Sequence, residues 1–281
     1  MHINWYPGHM TKAKRMIAEN VSQVDLVAEL LDARIPLSSR NADFEELFKT
    51  RKRLIILNKS DLADEAQTKD WEAYYKENGF SVFSFCSIQG GNKKALAGIQ
   101  EAASEIVERY KKKGVTKTVR VLVAGIPNVG KSAFINALGS GAKAKTGDKP
   151  GVTRGKQWIK VSPYLELLDT PGILWPKLEN QAFAARLAYV GCINDGILQG
   201  DKLCAMLLEE LRESYPVLLQ KKYDINTQQG TGLDMLEEIA QKRGFLRAGA
   251  ALDMERAAAI VLDEFRAGRL GRITLDTLRE A

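Results

Sequence analysis

The eight residues Gly125-Ile126-Pro127-Asn128-Val129-Gly130-Lys131-Ser132 constrain the fold more than any other part of the chain. They fit G-x-x-x-x-G-K-[ST], and they lie between the apolar run Val119–Ala124 and the helical stretch Lys131–Leu138. Strand, glycine-rich loop and helix in that order make a phosphate cradle. The glycines let backbone N–H groups turn inward, and the helix N-terminus adds positive partial charge. Val129, Gly130 and Ala133 belong to the cradle; Lys131 is placed to reach the β- and γ-phosphates, and the Ser132 hydroxyl to ligate Mg2+.

Further strand-like runs flank this element. Val24–Leu31 is closed by Asp32, Leu54–Leu57 is followed by Asn58, Ser81–Phe85 alternates, and Leu165–Leu168 ends in Asp169. Helical segments lie near Ala63–Asn78 and Lys93–Lys112. Such alternation predicts a mostly parallel sheet with helices on both faces. Past about Trp175 the strand signals fade. Leu203, Leu207, Leu208 and Leu211 share a helical face, as do Leu233, Leu236, Ile239 and Ala240, with Gly244 as C-cap; Met254, Ala258, Val261, Leu262 and Phe265 repeat the pattern before Gly268. The expected division is an α/β nucleotide domain over 1–178 and a smaller all-helical domain over 179–281, joined through Pro171–Lys177 and the residues just after it.

Three loops add chemistry to the cradle. Asp169 of Asp169-Thr170-Pro171-Gly172 suits a Mg2+ carboxylate acting through water, and Gly172 offers an N–H to the γ-phosphate. Asn58-Lys59-Ser60-Asp61 fits N-K-x-D, the guanine reader: the Asp61 carboxylate accepts two N–H bonds from guanine, while Asn58 and Lys59 brace the pocket. Adenine lacks those donors and would leave the carboxylate unpaired. Ser87 and Ile88 end another strand, where a backbone N–H meets the guanine oxygen in G domains; Ile88 stands in place of the usual alanine. Asn58 precedes Gly125 by 67 residues, the reverse of the ordinary order. All these loops belong at the carboxyl edge of one parallel sheet, and closure there depends on strand position, not chain order. A circularly permuted domain binding GTP or GDP with Mg2+ satisfies every motif.

The charge also points to phosphate. The chain carries +6 overall, yet residues 111–160 hold twelve basic residues against one acid, Asp148. That concentration suggests nucleotide phosphate, RNA or both; the alternative is a solvated lysine-rich face. Cys86, Cys192 and Cys204 have neither metal spacing nor pairing and read as reduced thiols of a cytoplasmic protein. No apolar stretch suggests a signal peptide, a membrane span or membrane association.

Taken in order, Trp5-Tyr6-Pro7-Gly8-His9-Met10, Asp32-Ala33-Arg34-Ile35-Pro36, the N-K-S-D tetrapeptide, the glycine loop, Pro150-Gly151-Val152-Thr153 and Asp169-Thr170-Pro171-Gly172-Ile173-Leu174-Trp175-Pro176 resemble the YlqF/RbgA family of circularly permuted GTPases. The resemblance spans nearly the whole chain. It implies GTP hydrolysis coupled to late assembly of the bacterial large ribosomal subunit, with the helical domain on ribosomal RNA. The expected partners are that subunit's RNA and proteins, met by a monomer.

Thr153 is the natural switch threonine, closing on Mg2+ and the γ-phosphate. Ile173 occupies the position where many GTPases keep a water-orienting glutamine, and it cannot hydrogen-bond. The resemblance points to His9 as its replacement, a neutral imidazole being able to orient water; an RNA-contacting or packed His9 is the alternative. It also implies K+ held partly by the Asn128 amide, against a merely loop-stabilising amide. Arg34, Arg40 and Arg154 are unranked candidates for charge stabilisation or RNA contact. The competing functional readings are an RNA-binding nucleotide switch with vestigial hydrolysis, and an ATP-dependent enzyme, which N-K-S-D disfavours.

Overall fold

The computed structural model describes residues 2–3, 5–86, 91–139 and 157–281. Six strands, β1 (Leu26–Asp32), β2 (Lys52–Asn58), β3 (Ser81–Phe85), β4 (Val119–Gly125), β5 (Gln157–Ser162) and β6 (Leu165–Asp169), form one sheet in the order β3-β2-β1-β4-β6-β5. Every neighbouring pair is parallel except β5–β6, an antiparallel pair with a register shift between Lys160 and Ser162. The expected mostly parallel sheet is therefore present.

The apolar strands are buried on both faces, as parallel strands flanked by helices must be. Leu54 and Ile56 of β2 join the larger core, with Leu26, Ala28 and Leu30 of β1. Ile55 and Leu57 turn the other way, toward Trp71 and Tyr75 of α3 (Glu65–Glu77). That helix starts where the Asp64 side chain accepts from Gln67 N at 2.9 Å, satisfying one of the free N–H groups of the first turn. α1 (Gly8–Val21) buries Met10, Ala13 and Ile17, and α4 (Asn92–Lys111) buries Ala95, Ile99, Ala102 and Ala103. α2 (Asp43–Leu47) is short, and α5 (Lys131–Leu138) follows β4.

Several boundaries shift from expectation for local reasons. β1 begins at Leu26, because Val24 belongs to the turn after α1. α1 begins at Gly8, directly after an extended Pro7. β5 was not anticipated: only Ile159 of its six residues is fully buried, and an edge strand gives a weak apolar signal.

From Gln181 the structure is helical: α6 (Gln181–Tyr189), α7 (Gly200–Ser214), α8 (Pro216–Tyr223), α9 (Gly232–Lys242) and α10 (Met254–Arg266). α7 is central and packs on each of the other four. Its Leu203, Leu207, Leu208 and Leu211 are buried as their spacing predicts, but Leu233 on α9 is 42% exposed. Gly244 and Gly268 follow α9 and α10 with left-handed φ of 64° and 69°.

After α10 the chain runs back along the sheet unit. Ile273 N donates to Leu62 O (3.0 Å) and Leu275 N to Arg34 O (2.8 Å). The Asp276 carboxylate, fully buried, accepts from Leu37 N and Ser38 N at 2.7 Å each and pairs with Arg186 of α6 at 2.9 Å.

Candidate functional site

The strand registers bring the motifs to one edge. Asn58 pairs with Asp32 and Phe85, Gly125 with Leu30, and Asp169 with Val123. The carboxyl ends of β2, β3, β4 and β6 therefore stand side by side, the position where open α/β sheets bind ligands.

The guanine-type loop and the phosphate loop are joined directly. Asn58 Nδ2 donates to Val129 O at 2.8 Å, and Lys59 Nζ to Asn128 O at 2.8 Å. Lys59 and Asn128 both adopt left-handed backbone, with φ of 58° and 56°, a conformation non-glycine residues hold only where surroundings enforce it. Gly130 caps α5 at φ 98°, and a Cβ there would overlap Asn58 Nδ2. Only glycine lets the two loops approach so closely.

Lys131 is buried, and its ammonium donates to Gly125 O (3.1 Å) and Ile126 O (2.8 Å). Burial brings its pKa down to about 8 against the opposing attraction of Asp169. Ser132 Oγ donates to Asp169 Oδ2 at 3.1 Å. Asp169 Oδ1 is buried and has no hydrogen-bond partner among the described residues. Burial raises this carboxyl's pKa, while Lys131, Ser132 and the Thr170 backbone pull it the other way. A buried, unpartnered carboxylate oxygen beside a serine hydroxyl is the hard-oxygen environment that suits Mg2+. Ala133 is half-buried in the first turn of α5.

Gly172 lies against the phosphate loop: a Cβ there would stand 2.6 Å from Pro127 Cα. Ile173 N donates to Gly125 O at 3.3 Å, and its side chain is fully buried in the core. The residue at the usual glutamine position thus buries its side chain in the core and offers no hydrogen-bonding group there.

Lys59 is braced from behind. Asp32 Oδ2 lies 3.0 Å from its ammonium, and the same carboxylate takes a two-pronged contact from Arg34, Nε at 2.9 Å and Nη2 at 2.7 Å. Burial alone would raise the Asp32 pKa, but Arg34 and Lys59 hold it well below the usual carboxylate range. Arg34 is 1% exposed, stacks 5.4 Å from the Phe265 ring and donates to Arg266 O at 3.2 Å. It is a buried brace rather than an RNA contact. Arg40 sits over the Phe80 ring at 4.8 Å and pairs with Glu45.

The helical region also reaches the phosphate loop. Asn128 Nδ2 donates to Gly191 O at 2.7 Å, and Cys192 Sγ to Pro127 O at 3.0 Å. Burial pushes the Cys192 thiol up to about 12, so it stays protonated. These contacts, and the Asp32–Arg34 brace, had no assigned role in the sequence reading. The one available signal was the acid–base pair at the end of β1.

His9 is exposed in the first turn of α1, and makes no hydrogen bond or ion pair among the described residues. Nearby, Ile3 is tied to Gln181 by hydrogen bonds of 2.7 and 3.2 Å. Ser87, Ile88, Thr153 and Arg154 lie outside the described residues. Among the described residues no helix is long and apolar enough to cross a membrane.

Residues 120–227 match the family model described as 50S ribosome-binding GTPase. Over 282 aligned residues the chain is 43% identical to Ribosome biogenesis GTPase A of Bacillus cereus, covering all of this chain and 95% of the relative. The GNP-bound YlqF of T. maritima superposes with a TM-score of 0.66 at 29% identity, covering 94% of this chain and 97% of that one. A GDP-bound YlqF superposes with a TM-score of 0.69 at 28% identity, covering 94% of this chain and 99% of that one.

Proposed function

This chain belongs to the ribosome biogenesis GTPase A family, and from that premise we propose that it acts at a late step in assembly of the large ribosomal subunit, contacting ribosomal RNA. It is a GTP hydrolase that takes guanine nucleotide with Mg2+ and has a ribosomal subunit as partner. The observation that carries the site reading is the junction of two loops in permuted chain order: Asn58 on Val129 O and Lys59 on Asn128 O. In this reading one cleft reads a guanine base with Asp61, Ser87 and Ile88, and grips its phosphates with residues 128–133.

In this reading Lys131 holds the β- and γ-phosphates, and Gly172 N–H senses the γ-phosphate. Ser132 and Thr153 would hold Mg2+, with Asp169 acting through water, and the bound ion would supply positive charge to the phosphate oxygens. The Asn128 amide oxygen is a suitable donor for K+, which supplies positive charge beside the phosphates. His9 orients the attacking water, because buried Ile173 has no group to do so. An exposed His9 on the first helical turn fits a residue completed by docking, so hydrolysis by the free protein is slow. Residues 179–281 carry the RNA contact, with the chain acting as a monomer.

The test is GTP hydrolysis in K+ and Mg2+, with and without large subunits, for wild type and His9→Ala. Stimulation lost in His9→Ala with nucleotide binding intact supports the reading. Stimulation that survives the substitution removes His9 from catalysis. Absence of stimulation overturns the subunit-activated model.

A further inference from the structure

The segment after α10 grips the loop that carries Asp61. Arg272 Nη2 donates to Ser60 O at 3.0 Å and Nε to Ala63 O at 2.7 Å. Between these, Ile273 N donates to Leu62 O at 3.0 Å. Asp64 N in turn donates to Thr274 Oγ1 at 3.1 Å. Gly268 completes the contact at the end of α10: a Cβ there would stand 2.7 Å from Leu62 Cδ2.

The consequence falls on Asp61. Its own side chain makes no hydrogen bond or ion pair among the described residues. Its direction is set by the backbone on either side, and that backbone is held through the carbonyls of Ser60, Leu62 and Ala63. From the other side, Ser60 N donates to Phe85 O at 3.2 Å. Among the described residues Arg272 is the one side chain that bonds carbonyls both before and after Asp61. Its planar fork suits this task, because two nitrogens reach two acceptors at fixed separation. The Glu65 carboxylate lies 3.4 Å from its third nitrogen and holds the guanidinium in place.

We infer that Arg272 is a positioning residue for guanine recognition: it clamps the Ser60–Ala63 backbone so that the Asp61 carboxylate meets both N–H donors of the base. The inference rests on the reading of Asp61 as the guanine contact. A misaimed carboxylate loses the bond to the 2-amino group while phosphate binding, on a separate loop, persists. Discrimination between guanine and hypoxanthine, which lacks that amino group, therefore reports the clamp.

The experiment measures GDP and IDP dissociation constants for the full chain as wild type, Arg272→Ala, Arg272→Lys and Asp61→Asn, with thermal midpoints as a folding control. Arg272 is half exposed, and the thermal midpoints show whether each variant keeps its fold. The expected result is a GDP-over-IDP preference reduced roughly tenfold in Arg272→Ala, because GDP has two bonds to the carboxylate to lose and IDP only the ring N–H. Arg272→Lys, which keeps the charge but reaches one carbonyl, falls between. Equal weakening of GDP and IDP, or an unchanged preference in Arg272→Ala while Asp61→Asn abolishes it, overturns the clamp and leaves the guanine assignment standing. An unchanged preference in Asp61→Asn overturns the guanine assignment and the clamp with it.

Discussion

Lys59 Nζ lies 3.0 Å from Asp32 Oδ2 and 2.8 Å from Asn128 O, so one ammonium links the end of β1 to the phosphate loop. Asp32 in turn is locked by Arg34, and Arg34 by the carbonyl of Arg266. A continuous polar path thus runs from the end of α10 to the nucleotide site.

Asp32→Asn breaks that path at a fully buried ion pair. Leaving Arg34 buried without its counter-charge is expected to cost about 3 kcal/mol. The Asp32 pKa is depressed on folding, so the stabilisation is complete above its ordinary value of 3.8 and disappears as pH falls toward the lower folded value. Denaturant melts should show a wide gap between wild type and variant at neutral pH, narrowing only below about pH 4.

Lys131 behaves in the opposite sense. Its folded pKa of about 8 lies below the ordinary 10.5, so its burial penalty is full below pH 8 and is relieved as pH rises toward 10.5. Phosphate favours the charged form, and GDP binding should therefore take up protons above pH 8. Calorimetry in buffers of different ionisation enthalpy should detect this uptake. Lys131→Met should abolish the uptake and weaken binding.

Asp169→Asn separates stability from activity. The buried carboxylate has an oxygen without a partner among the described residues, so the nucleotide-free variant should melt at the same temperature or higher. Hydrolysis should fall by about a hundredfold or more, as it should when Mg2+ is chelated from wild type.

Gly130→Ala places a methyl group on Asn58 Nδ2 at a backbone φ of 98°. GDP affinity is expected to fall by about tenfold or more, in line with the 1–3 kcal/mol typical of such strain. Equilibrium binding checks it, with a Gly8→Ala control where a Cβ meets nothing within 4 Å.

The sheet and its functional edge were legible because their signals are local. β3 over Ser81–Phe85 and α5 over Lys131–Leu138 match their sequence-derived bounds to the residue. The junction of Asn58 with Val129 follows from placing each motif at a strand end. Long-range polar contacts left no comparable trace. Arg34 stood beside Arg40 and Arg154 as an unranked cation, since its acceptor on Arg266 lies 232 residues away. The stretch Arg272–Asp276 alternates polar and apolar residues, with Ile273 and Leu275 buried, but five residues do not say which loops they meet; it bonds the loops after β1 and β2. Leu233 was misplaced for a different reason: its spacing fits the apolar face of α9, but it lies in the first turn and remains 42% exposed.

The clamp on the guanine-type loop also imposes a timetable. Ser60 and Arg272 are 212 positions apart, and a ribosome makes the earlier residue first. The sheet strands can pair as they emerge, since domains fold as units from the N-terminal side during synthesis. The Asn58–Asp61 loop lacks its bonds to Arg272, Ile273 and Thr274 until residues 272–274 have been translated. Under the proposed clamp, full guanine discrimination therefore waits until that segment has been made, and a nascent chain halted within the helical region should hold nucleotide by its phosphates alone.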